Sequence, residues 1–92
     1  MLATLTKSKK PGKKWTVVID GKTIHFGSSD HQDFTQHGDE ERKERYITRH
    51  RKRENWNDHK SAGFWAKHLL WNKRTLKASI LDLKKNHGID TK

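Results

Sequence analysis

The chain has 92 residues, with 21 Lys and Arg against 11 Asp and Glu, a formal charge of +10 and no Cys. That length holds one domain, and the missing thiols exclude disulfides and every thiolate-ligated zinc finger. The positive excess attracts polyanions, whether nucleic acid, anionic membrane or acidic protein faces.

Residues 1–14, MLATLTKSKKPGKK, hold five Lys, no acid and the only Pro. They read as a basic N-terminal arm, flexible alone in water, whose Lys7, Lys9, Lys10, Lys13 and Lys14 have no local acid to pair with. Such an arm is expected to lie on a neighbour in an assembly. The stretch lacks the apolar core of a signal peptide, and no apolar run approaches the roughly 20 residues needed to span a bilayer. A soluble intracellular protein is the expectation, with residues 15–92 as one small domain.

Residues 15–27, WTVVIDGKTIHFG, alternate Trp15, Val17 and Ile19, then Ile24 and Phe26, around Asp20-Gly21. This pattern predicts a hairpin with strands at about 14–19 and 22–27. Residues 28–41 carry five acids and no Lys or Arg, and read as a loop that enters a helix at Asp39. Asp39 would cap it, and Glu40 and Glu41 would meet the positive end of the helix dipole. The helix is predicted over 39–53. Its Arg42, Arg45, Arg49 and Arg53 recur at spacings of 3, 4 and 4 and share one face, with Lys52 beside it.

Residues 54–62 form a polar break. A second helix is predicted over 62–71 with Ser61 as cap; Phe64, Trp65, Leu69, Leu70 and Trp71 cover most of its circumference, so it is either buried or lies in an interface. Asn72 to Arg74 turn the chain. Thr75 caps a third helix over 76–87, with a Leu76, Ile80, Leu83 stripe and Gly88 just past its end. The predicted fold class is therefore α+β, a small single domain with an N-terminal β-hairpin followed by three short helices. Leu, Ile, Val and Phe supply only 17 of the 92 residues, a thin core that four Trp must supplement.

Several stretches together resemble a known group: KTIHFG (22–27), SDHQDFTQHGDEERKERYITRHRKRENW (29–56) and SAGFWAKHLLWNKRTLKASI (61–80). They look like a family of small, basic, uncharacterised proteins encoded by large double-stranded DNA viruses of algae and protists. The resemblance covers most of residues 14–88. It implies a viral origin and a place in a virion, and it carries over no catalytic residues.

Function is read from the cations and the rings. Between residues 42 and 53 Arg outnumbers Lys five to two, which favours planar, bidentate contacts to phosphate or carboxylate over mere solvation. Trp15 and Trp65 read as core. Trp56, after the basic helix, and Trp71, at the end of the aromatic helix, are the candidates for an external contact. His25, His31 and His37 with Asp30 and Asp33 are weighed as a metal cluster, and His50, Asn55 and His59 as a nuclease-like set. The spacing does not suit the nuclease-like set, no His pair is spaced to share one helix face for zinc, and no Gly-rich phosphate loop or nucleophile elbow is present; the first cluster could gather as oxygen and nitrogen ligands but is not the expectation.

The leading expectation is a minor structural protein of a large DNA virus particle. It would cement acidic capsid or core proteins through Arg42, Arg45, Arg49, Lys52, Arg53, Trp56, Trp71, Lys9, Lys10, Lys13 and Lys14. The alternative is a sequence-nonspecific DNA- or RNA-binding, packaging protein. No enzyme activity, cofactor, metal, small-molecule substrate or membrane contact is expected.

Overall fold

The structure, a computed structural model, describes residues 1–92. Its elements are β1 (Leu2–Lys7), β2 (Lys13–Ile19), β3 (Lys22–Ser28), α1 (Phe34–His37), α2 (Glu40–His50), α3 (Ala62–Trp65) continued by a π-helical turn (Ala66–Leu70), α4 (Leu76–His87) and β4 (Asp90–Thr91). The molecule is a small α+β domain whose sheet has the order β3-β2-β1-β4. β1 and β3 flank β2 antiparallel, and β4 joins β1 parallel.

The hairpin follows the turn chemistry. Ile19 pairs with Lys22 across a two-residue loop in which Asp20 and Gly21 take φ of 49° and 73°. Two positive φ values in succession are what a tight right-twisting hairpin requires, and Asp-Gly supplies them at low cost.

The expectation of a free basic arm is corrected. Leu2–Lys7 is an interior strand, paired from Ala3–Ile19 to Lys7–Trp15 on one side and with Asp90 and Thr91 on the other. Ala3 is fully buried, and Leu5 packs against the core. Alternating apolar and Thr residues in LATLT fit a half-buried strand, and the nearby Lys do not prevent pairing when their heads reach water or, as for Lys14, a carboxylate.

One sheet face carries the core. Val17, Ile19, Ile24 and Phe26 meet Phe64, Trp65, Leu69, Leu70, Leu83 and Ile89 there. The near all-round apolar helix is buried within its own domain, and the π turn explains how. The Trp71 N–H donates to the Ala66 carbonyl at 3.1 Å, an i to i−5 step that widens the helix. A wider turn gathers residues such as Trp65 and Leu70, five apart, onto one side.

Two further departures concern helix bounds. α2 ends at His50, so Lys52 and Arg53 lie in the turn that follows; the Arg53 and Glu54 N–H groups both donate to the His50 carbonyl. α1 is an additional helical turn inside the predicted loop, started by a capping box. The Asp33 carboxylate accepts from the Thr35 backbone, and the Gln36 side chain accepts from the Asp33 N–H at 3.0 Å.

Candidate functional site

A groove of about 710 Å³ runs between the β2–β3 end of the sheet, the inward flank of α2 and the end of the π turn. Six cations line it: Lys13 and Lys14 from β2, Arg42, Arg45 and Arg49 from α2, and Arg53 from the turn beyond. The 3, 4, 4 spacing seen in the sequence thus places its four Arg along one wall. Arg53 joins them although the helix has ended, because the following turn keeps the chain curling in the same sense.

The groove's one carboxylate is already neutralised. Lys14 Nζ meets Asp33 Oδ2 at 2.6 Å with both side chains largely buried, and it also donates to Gln36. Gly27 lets this corner close up. Its φ is 81°, and a Cβ there would lie 2.8 Å from Leu70 Cδ1 and 3.2 Å from Lys14 Cβ.

The acids of residues 30–41, which in the sequence interrupt the positive run, are mostly committed locally. Asp39 caps α2 through the Glu41 and Arg42 N–H groups. Glu40 reaches Arg74 at 3.4 Å, and Glu41 reaches Arg45 at 3.9 Å. The first of these points away from the groove, and the second is an exposed contact worth little.

A column of rings stands behind the Arg wall. Tyr46 stacks on Trp71 with centroids 4.3 Å apart and planes 3° from parallel. His50 stacks on Tyr46 at 4.3 Å and 27°. His37 packs against the Trp71 indole at 5.4 Å, and its Nδ1 accepts the Asp39 N–H at 2.9 Å. Burial, and then the Arg42 charge, hold the His37 imidazole below the usual pKa, so it stays neutral beside the cations. Burial and the Glu54 carboxylate push the Tyr46 hydroxyl up to about 12, leaving it protonated and no candidate nucleophile.

The remaining sequence candidates fall elsewhere. Trp71 lines the groove but is half-buried and committed to the column. Trp56 is also half-buried, outside the groove, with Lys67 Nζ 5.1 Å from its ring and its carbonyl 3.1 Å from His68 Nε2. Lys52 is exposed beyond α2 and does not reach the groove; Lys9 and Lys10 are exposed in the β1–β2 turn and do not either. Trp65 is fully buried, and Trp15 packs half-buried against the core.

The histidines are dispersed. His25 Nδ1 meets Thr16 Oγ1 at 2.8 Å on the sheet, His31 bonds Ser28, and His59 meets Asp20 at 3.3 Å. No group of three His, Asp or Glu is arranged to hold a metal ion, and no helix is long and apolar enough to cross a membrane. The groove residues that sequence reasoning passed over are Ser28, Gln32 and Ala66, while His31 was weighed only as a metal ligand and Leu70 only as part of the apolar helix. Only Asp33 with Gln36, three apart and ahead of a helical turn, left a readable signal there.

No curated protein and no solved structure matches the chain. The profile of one family does match, over residues 3–50, which take in nearly all of β1, then β2, β3, α1 and α2 with Arg42, Arg45 and Arg49 of the wall. The chain belongs to that family, a family of unknown function (DUF5754).

Proposed function

We propose that the protein binds double-stranded nucleic acid along the groove without reading base sequence, and that it packages DNA in the particle of a large DNA virus. One observation carries this reading. Lys13, Arg42, Arg45, Arg49 and Arg53 converge on a single groove whose lone carboxylate is taken by Lys14. Five cations in one concavity, of which only Arg45 has an acid beside it, the exposed Glu41, are an electrostatic footprint for phosphodiester backbone.

The ring column favours a duplex over a single strand. Single-strand binders stack unpaired bases on free aromatic faces. Here Tyr46 is buried with Trp71 and His50 stacked on it, and Trp71 is engaged by Tyr46 and His37. An acidic protein partner is supported less, because the groove's rings are packed on one another and leave its Arg without an exposed aromatic anchor beside them. The viral setting rests on the resemblance of residues 14–88 to proteins of large double-stranded DNA viruses, which must condense long genomes.

A minor structural role in the virion, cementing capsid or core proteins, is the second reading. It is favoured by the exposed Leu2 and Val18 side chains of the sheet, which a protein neighbour would cover. Two of its earlier supports are gone, since β1 is paired within the domain and the aromatic helix is buried there.

Competition between a short duplex and single strands of matched length tests the proposal. The duplex is expected to bind more tightly at equal phosphate concentration, with no preference among sequences and little Trp quenching by single strands. Tighter single-strand binding with strong Trp quenching would contradict it.

A further inference from the structure

Two histidines line the cationic groove and have no part in its permanent charge. His31 comes from the loop after β3, and His50 is the last residue of α2. His31 Nδ1 lies 3.0 Å from the Ser28 hydroxyl. His50 is held by its stack on Tyr46, and its Nδ1 lies 3.6 Å from a Glu54 carboxylate oxygen. Nδ1 of each ring is thus engaged, and no group of the chain hydrogen-bonds either Nε2. His31 is exposed, and the His50 side chain keeps a third of its surface in water.

We propose that His31 and His50 are two further phosphate-binding residues of the groove, which engage as imidazolium ions and so couple duplex binding to proton uptake. The proposal rests on the reading of the groove as a duplex site. The charges facing the two rings set its terms. Opposite His31 stand Lys13 and Lys14 of β2 and the Arg of α2; its own loop brings Asp30 and Asp33, and Lys14 already takes the second. Beside His50 lie Arg49 and Arg53, the Tyr46 ring and the acid Glu54. The π turn contributes only Ala66, Leu70 and Trp71 to the groove, none of them charged.

In the free protein this cationic setting opposes any further positive charge. A phosphate laid in the groove reverses that field. Each imidazolium then has an anion for its Nε2–H to meet, while its Nδ1–H donates to Ser28 or faces Glu54. An imidazole ordinarily changes charge between about pH 5 and 8, so the proton enters with the phosphate. The complex therefore holds more protons than the free protein, and affinity must rise as pH falls through that range. Lys and Arg ordinarily titrate far above it and cannot produce the same dependence. Each imidazolium–phosphate contact also adds about 0.9 to the salt slope.

Anisotropy of a labelled short duplex with the full chain, over a salt series at pH 7.5 and at pH 5.5, tests this. Wild type is expected to bind at least about tenfold more tightly at pH 5.5, with a log–log salt slope steeper by about 1–2. His31→Gln removes an exposed ring whose one bond is to Ser28, and is expected to lose about half of that response on a logarithmic scale. Adding His50→Gln is expected to remove nearly all of it. Circular dichroism at both pH values checks the fold, and His31→Gln decides alone should the double variant not fold. A wild type with the same affinity and slope at both pH values would overturn the proposal, and so would a folded variant that keeps the full response. Either result leaves the groove reading in place where duplex binding is still salt-dependent and carried by Arg45, Arg49 and Arg53. No duplex binding at either pH would remove that reading and this proposal together.

Discussion

Gly27 and His68 show how single residues set the conditions for the fold. Gly27 combines a left-handed backbone with a close approach to Leu70. Gly27→Ala adds strain at φ 81° and a methyl where there is no room, so it is expected to lower stability by about 1–3 kcal/mol, measured as a shift in urea midpoint. His68 is buried against Phe64 and His87 and lies 3.1 Å from the Trp56 carbonyl. Burial lowers its pKa to about 4, outweighing the raising effect of the Trp56 hydrogen bond and of Asp82, while Lys67 and His87 also lower it. The unfolded chain takes up this proton near pH 6.5 and the folded chain only near 4. Its contribution to stability is therefore complete above pH 6.5 and declines as pH falls toward 4. Urea midpoints at neutral pH and near pH 4.5 should differ accordingly, by at most about 3 kcal/mol from this group. A His68→Leu variant should show a shallower acid limb.

Among the elements, β1 and α2 make opposite cases. β1 is ladder-bonded on both sides and buries Ala3, so removing residues 1–7 is expected to abolish cooperative unfolding; a sharp thermal transition in the truncated chain would refute its interior role. α2 is fastened by few links: the Tyr46–Trp71 stack, the Lys43 ammonium on the Asn72 carbonyl at 2.7 Å, and the Glu40–Arg74 pair. Trp71→Ala is expected to cost about 2–3 kcal/mol for a half-buried ring and to raise amide exchange in Glu40–His50 more than in the sheet.

The same elements show what was legible beforehand. The β2–β3 hairpin could be read because Asp-Gly and strict alternation agree, and α4 because its Thr75 cap, apolar stripe and Gly88 end agree. β1 was obscured because Lys-rich composition outweighs a short alternating run, although Ala3 and Leu5 carried the signal. The Arg wall was legible from spacing alone. The stacked burial of Trp71 was not, because it depends on a π turn and on the tertiary placement of Tyr46, which no local pattern encodes.

At the scale of the whole molecule, the domain divides its surface by charge. The outer sheet face carries mostly Thr and exposed apolar side chains, and a concentrated cationic groove lies against α2 and the end of the π turn. The central claim is that this groove grips phosphodiester backbone. Its most direct test is the salt dependence of duplex affinity for wild type and for a variant with Arg45, Arg49 and Arg53 changed to Gln. With Lys13, Arg42, Arg45, Arg49 and Arg53 each neutralising one phosphate, the log–log slope for wild type should be about −4.5, a loss of about 500-fold between 50 and 200 mM salt. The triple variant should keep a slope near −1.8 and lose only about tenfold over the same range, with both proteins indifferent to base sequence. Equal slopes for the two proteins, or a wild-type affinity that hardly responds to salt, would contradict the account.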